Sequence, residues 1–153
     1  MDQVPYYLHP STIVVRNEGR ILTVLGSCVA VCLFDVRGKR GGMNHYMLPF
    51  WNGEGLETPR YGNVAIPKLI FEMLDGGSRK KDLTAKVFGG ASVLSEGGSV
   101  FQTGEKNIVV ALRLLEEFGI PVVASSTGGS RGRRIWFNPS TGEVLQQYTI
   151  KTT

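Results

Sequence analysis

The chain has 153 residues, with 17 Lys plus Arg against 13 Asp plus Glu, for a net charge of +4. Its 42% apolar and 20% charged content excludes disorder and collagen-like repeats, and its longest apolar run, Cys28 to Phe34, is far below the ~18 residues of a membrane-crossing helix. The unusual figure is glycine, at 20 residues, where an average chain has ~7%.

The elements follow in chain order. Thr12 to Arg16 is short and β-branched and predicts a strand. Ile21 to Leu25 and Val29 to Asp35 predict two more, separated by a sharp bend at Gly26-Ser27-Cys28. Gly41 to Leu48 predicts another, starting from a Gly-Gly turn, and residues 49–63 read as a loop. Ile66, Leu69, Ile70, Met73 and Leu74 recur at helical spacing, with Pro67 in the first turn and Gly76-Gly77 as the stop. Ala85 to Phe88 predicts a strand running into Gly89-Gly90. A second helix is expected from an N-cap at Thr103 to a stop at Gly119, with Ile108, Ala111, Leu112, Leu115 and Phe118 as its apolar stripe. Ile120 to Ala124 reads as a buried strand, and Arg134 to Asn138 with Val144 to Lys151 as a hairpin. Gly97-Gly98 reads as loop punctuation. The elements do not alternate strictly, so the expected class is α+β, in a single domain over 1–153 with no linker and no internal repeat.

Met1 to Pro5 carries no signal-peptide pattern, so a cytoplasmic location is expected. Basic residues cluster at Arg37-Lys39-Arg40, at Arg79-Lys80-Lys81 and at Arg131-Arg133-Arg134, and read as solvated loop charge. No aromatic residues interleave with them, so no nucleic-acid partner is expected, nor any membrane insertion. On a strand, Cys28 and Cys32 would stand about 13 Å apart, too far for a disulfide or a shared metal. His9 and His45 complete no zinc spacing, so neither a metal nor another cofactor is expected. Cys32 reads as core and His9 as incidental.

Cys28 is the residue with chemical potential. A bend exposes a side chain and turns backbone N–H groups outward, where they can hold an oxyanion. A thiol attacks carbonyl carbon at neutral pH once an imidazole or N–H dipoles favour the thiolate. His45 lies 17 residues on, and a hairpin would bring the two side by side. The plain alternative is a small buried cysteine and a satisfied strand histidine.

Gly26-Ser27-Cys28-Val29-Ala30-Val31-Cys32-Leu33-Phe34-Asp35, then Gly41-Gly42-Met43-Asn44-His45-Tyr46-Met47-Leu48-Pro49, closely resemble the chemoreceptor glutamine deamidase family, CheD. Lys86 to Ser92 is similar to that family's glycine loop, Gly104 to Asn107 to its helix start, Thr127 to Arg133 to its late loop and Asn138 to Val144 to its last hairpin. The resemblance runs from about residue 12 to about residue 150, through several separate motifs in order.

The resemblance implies a cytoplasmic enzyme that hydrolyses particular chemoreceptor glutamines to glutamates, and glutamyl methyl esters as well. It implies a layered α/β/β fold like that of toxin-type cysteine deamidases. Its partners would be the cytoplasmic domain of methyl-accepting chemoreceptors and a CheC-type phosphatase. The family's nucleophile maps to Cys28 and its base to His45, with Gly26 and Ser27 supporting the oxyanion. The third catalytic member, a threonine six residues before the cysteine, maps to Leu22. Thr23 is adjacent, but neighbouring side chains on a strand face opposite ways, so Thr23 is not expected to replace it without a bulge. The departure leaves open a second reading, a module that docks a CheC-type phosphatase with weakened catalysis. Gly89, Gly90, Ser92, Thr127, Gly128, Gly129 and Arg131 are candidate substrate-loop residues, although tight turns account for the glycines equally well. The basic clusters would then face acidic receptor helices.

Overall fold

The computed structural model describes residues 4–92 and 99–149. Gly97-Gly98 and the last two residues of the predicted hairpin, Ile150 and Lys151, lie outside them. The strands are Tyr6–Tyr7 (β1), Ile13–Arg16 (β2), Ile21–Leu25 (β3), Val29–Asp35 (β4), Arg40–Asn44 (β5), Leu83–Gly89 (β6), Val122–Thr127 (β7), Arg133–Phe137 (β8) and Val144–Tyr148 (β9). The helices are Gly62–Asp75 (α1) and Ser99–Phe118 (α2). One sheet has the order β2-β5-β4-β6-β7, the other β1-β3-β8-β9.

β4 explains how the layers assemble. It is apolar from Val29 to Phe34, as a strand buried on both faces must be. Val29, Val31 and Leu33 face the helices and pack with Ala65, Ile66, Leu69, Ile70 and Ala111. Ala30 and Cys32 face the other way and pack with Ile21, Leu25, Ile135 and Phe137 of the smaller sheet. Each fully buried Leu, Ile or Val contributes roughly 1.5–3 kcal/mol by leaving water. The result is helices, a five-stranded sheet and a four-stranded sheet, the α+β class in α/β/β order. No helix among the described residues is long and apolar enough to cross a membrane.

Several boundaries differ from the sequence expectation. α1 starts at Gly62, inside the expected loop, so Pro67 stands in its second turn. Tyr61 offers no side-chain cap. The first N–H groups are satisfied instead by distant carbonyls, Gly62 N–H by Leu48 (2.8 Å) and Asn63 N–H by Pro49 (3.0 Å). Those acceptors belong to the loop after His45, and no local signal announces them. α2 likewise begins at Ser99, which leaves Thr103 inside the helix rather than at its cap. Leu112 is 45% exposed, and Val110 takes its place in the core. β7 is an edge strand with Val122 to Ser125 exposed, not a buried one. β1, a two-residue strand parallel to β3, has no sequence signal.

Candidate active site

The bend at 26–28 carries the chain from β3 in one sheet to β4 in the other. Cys28 is half-buried there, against the cluster between the sheets. β4 and β5 form the antiparallel hairpin, pairing Cys32 with Met43. An isolated bridge pairs Val29 with Tyr46 in the same register. That register sets His45 opposite Ala30, with Cys28 one diagonal step away on the same face. His45 is 2% exposed, and its carbonyl accepts the Ser11 N–H at 2.7 Å.

Thr23 completes the arrangement from the other sheet. Its hydroxyl lies 2.7 Å from His45 Nδ1 and donates to the Leu8 carbonyl at 2.8 Å. The expectation that Thr23 cannot meet the histidine is therefore corrected. β3 pairs continuously with β8 from Ile21 to Leu25, without a bulge. Its buried residues are Ile21, Thr23 and Leu25, so Thr23 faces inward and Leu22 does not. One hydroxyl has one proton, and Leu8 takes it. Thr23 Oγ1 must then accept from His45 Nδ1–H, which leaves Nε2 as the basic nitrogen.

Burial sets the protonation states. It lowers the His45 pKa from 6.5 to about 4. It also raises the Cys28 pKa, while a hydrogen bond from the residue's own backbone N–H pulls it partly back. Both groups are therefore neutral at rest near pH 7. The folded state binds a proton at His45 less readily than the unfolded chain does. The resulting stability is complete above about pH 6.5 and is lost as pH falls toward 4, to a total of about 3 kcal/mol. Urea midpoints between pH 7 and pH 4.5 should fall more steeply for the wild type than for His45→Gln. Parallel curves for the two proteins would contradict this.

Two glycine-bearing segments close around the bend. Gly90 N–H bonds the Cys28 carbonyl (2.9 Å), Ala91 N–H the Gly26 carbonyl (2.9 Å), Gly128 N–H the Gly89 carbonyl (2.9 Å) and Ser92 N–H the Gly129 carbonyl (2.8 Å). Gly89 has φ +106°, and a Cβ there would lie 2.2 Å from the Cys28 carbonyl oxygen, so the close approach requires glycine. The structure thus brings Gly26, Ser27, Gly89, Gly90, Ser92, Gly128 and Gly129 together with Cys28. Thr127, which ends β7, is half-buried beside Gly128. Arg131 turns away, donating to the Thr149 carbonyl at 3.1 Å and lying over the Tyr148 ring.

Arg133, read from sequence as solvated charge, is 2% exposed. Its guanidinium donates to the carbonyls of Ser126 and Gly128 and so shapes the late loop from beneath. Cys32 is buried, and His9 is exposed at the end of β1. Sequence reasoning gave Asn107 no role, yet its amide reaches both the bend and the segment after His45. Among the described residues no group of three or more His, Cys, Asp or Glu side chains is placed to hold a metal ion.

A half-buried thiol one diagonal step from an imidazole whose Nδ1 meets a hydroxyl is an arrangement chemically suited to acyl transfer through a cysteine. The chain belongs to the CheD family, described as CheD chemotactic sensory transduction, whose family model matches residues 47–148. It is 54% identical over 141 residues to a protein of Trichlorobacter lovleyi named "Probable chemoreceptor glutamine deamidase CheD", covering 92% of this chain and 88% of that one. A protein of Sulfurimonas denitrificans with the same name is 46% identical over 156 residues, covering 99% of both chains. One from Anaeromyxobacter dehalogenans, named "Probable chemoreceptor glutamine deamidase CheD 1", is 46% identical over 137 residues, 89% of this chain and 80% of that one.

Proposed function

We propose that this chain is a protein-glutamine deamidase of chemoreceptors, acting in the cytoplasm through Cys28 and His45. The observation that carries the reading is the Thr23–His45 hydrogen bond on the face that Cys28 shares. Relatives that bear the deamidase name over nearly the whole chain support it.

In the proposed reaction Cys28 Sγ attacks the carboxamide carbon of a receptor glutamine while His45 Nε2 takes the thiol proton. Because both groups start neutral, attack and proton transfer go together. The N–H groups of the 26–28 bend hold the oxyanion. His45 returns the proton to the departing nitrogen, the C–N bond breaks, and ammonia leaves a glutamyl thioester. Water then attacks the thioester with Nε2 as base, the C–S bond breaks, and glutamate and the thiol are restored. A glutamyl methyl ester follows the same course, with methanol leaving.

Thr23 acts throughout as the acceptor for Nδ1–H and steadies the imidazolium when it forms. The ground for a weakened docking module was the missing hydroxyl at Leu22, and Thr23 supplies that hydroxyl. A CheC-type phosphatase remains a second proposed partner for the same face, checked by its competition with receptor for binding.

The deciding experiment is mass spectrometry of a receptor cytoplasmic fragment incubated with the protein. Amide-to-acid conversion at particular glutamines is expected, with matching ammonia release. Glutamines left intact, over a period in which the protein stays folded, would overturn the reading.

A further inference from the structure

We propose that Asn107 of α2 is a positioning residue that sets the Cys28 backbone for reaction. Its side chain is fully buried. Nδ2 donates to the Ser27 carbonyl at 2.9 Å and to the Met47 carbonyl at 3.0 Å. Both partners are carbonyl oxygens, so the nitrogen must be the atom between them. Ser27 immediately precedes Cys28, and Met47 follows His45 by two residues. One amide thus joins the segments that carry the thiol and the imidazole. Asn107 is itself held, since its main-chain carbonyl accepts the buried Tyr46 hydroxyl at 2.5 Å.

The clamp has a directional consequence. In a trans peptide the C=O of one residue and the N–H of the next point opposite ways. The carbonyls of Gly26, Ser27 and Cys28 are taken in turn by Ala91 N–H, Asn107 Nδ2 and Gly90 N–H. Three successive peptide planes are therefore fixed. With the Ser27 carbonyl drawn toward α2, the Cys28 N–H is turned away from the helix. Of the three clamps, only the middle one comes from a side chain. Asn107 Oδ1, moreover, is buried with no hydrogen-bond partner among the described residues. A buried orphan acceptor costs stability, so stability alone is a poor reason for asparagine here.

The inference rests on the proposed role of Cys28, and its test separates the two. Asn107→Leu keeps the branching and heavy-atom count, with somewhat larger methyl ends, and removes both donors; Asn107→Ser keeps one. The comparison protein is Ile70→Val, a core change between α1 and the sheet that leaves the bend alone. Alkylation of Cys28 by iodoacetamide across pH needs no substrate and reads the bend directly. Asn107→Leu should move its pH midpoint upward and lower kcat for ammonia release by about 10–100-fold, the range of a lost outer supporting group and below that of a lost oxyanion donor, with KM changed less than about threefold. Asn107→Ser should fall between Leu and wild type, and it carries the test if Asn107→Leu fails to fold. Ile70→Val, compared at matched loss of Tm, should shift neither reading. An unchanged alkylation profile and kcat in the Asn107 variants, or equal changes in Ile70→Val, would overturn the inference. Ammonia release surviving in Cys28→Ala would instead overturn the reading beneath it.

Discussion

Cys28→Ala should lower ammonia release from a receptor fragment by more than about 10⁴-fold, the scale of losing a covalent nucleophile. No other cysteine is placed to replace it. The other cysteine, Cys32, is 1% exposed, and burial raises its pKa strongly, so it stays a neutral thiol. Cys28→Ser should be nearly as inactive, because a base at about 4 takes a hydroxyl proton poorly. Folding should be little affected by either change, since Cys28 is half-buried and bonds its neighbours through the backbone. Receptor binding by the inactive variants at wild-type strength would place the defect in chemistry. Ammonia release within tenfold of wild type in Cys28→Ala would refute the thioester route.

The second large effect is expected at Thr23. Thr23→Val keeps the shape of the side chain and removes the hydroxyl. It leaves two buried groups without partners, His45 Nδ1–H and the Leu8 carbonyl. Each orphan costs about 1–3 kcal/mol, so a urea midpoint well below wild type is expected. Activity should fall by about 100-fold, less than the ~10⁴ of losing a buried carboxylate from a triad, because threonine orients the ring without a full charge. Thr23→Ser restores the oxygen and should recover most of the rate. If Thr23→Val keeps wild-type kcat while its stability falls, the hydroxyl is structural only.

Thr23 also marks the limit of what the sequence carried. The placement of Cys28 and His45 on one hairpin face was legible because a Gly-Ser-Cys bend and a hairpin partner are local patterns. The third position was misread because spacing was counted back from the cysteine. What matters is parity along β3, where Ile21, Thr23 and Leu25 share the buried face. The α+β class was legible from the order of the elements, whereas the α/β/β layering was expected only through the family resemblance; its physical reason is β4, apolar on both faces and covered on each. Asn107 was not legible at all. It lies 80 residues from Ser27, and nothing in Glu105-Lys106-Asn107 distinguishes an inward amide from a solvated one. The start of α1 was missed because its cap is supplied by Leu48 and Pro49, across a loop.

The two-sheet construction has a last consequence. Cys28 and His45 border strands of one sheet, Thr23 lies in a strand of the other, and the Thr23–His45 hydrogen bond joins the two. A chain whose larger sheet and helices have formed, but whose smaller sheet has not yet docked, holds a thiol beside an imidazole free to turn and to take either tautomer. Under the proposed mechanism, competence therefore arrives with the final closure of the molecule. During synthesis or partial opening, a receptor glutamine meets an inert surface until both halves of the protein are in place.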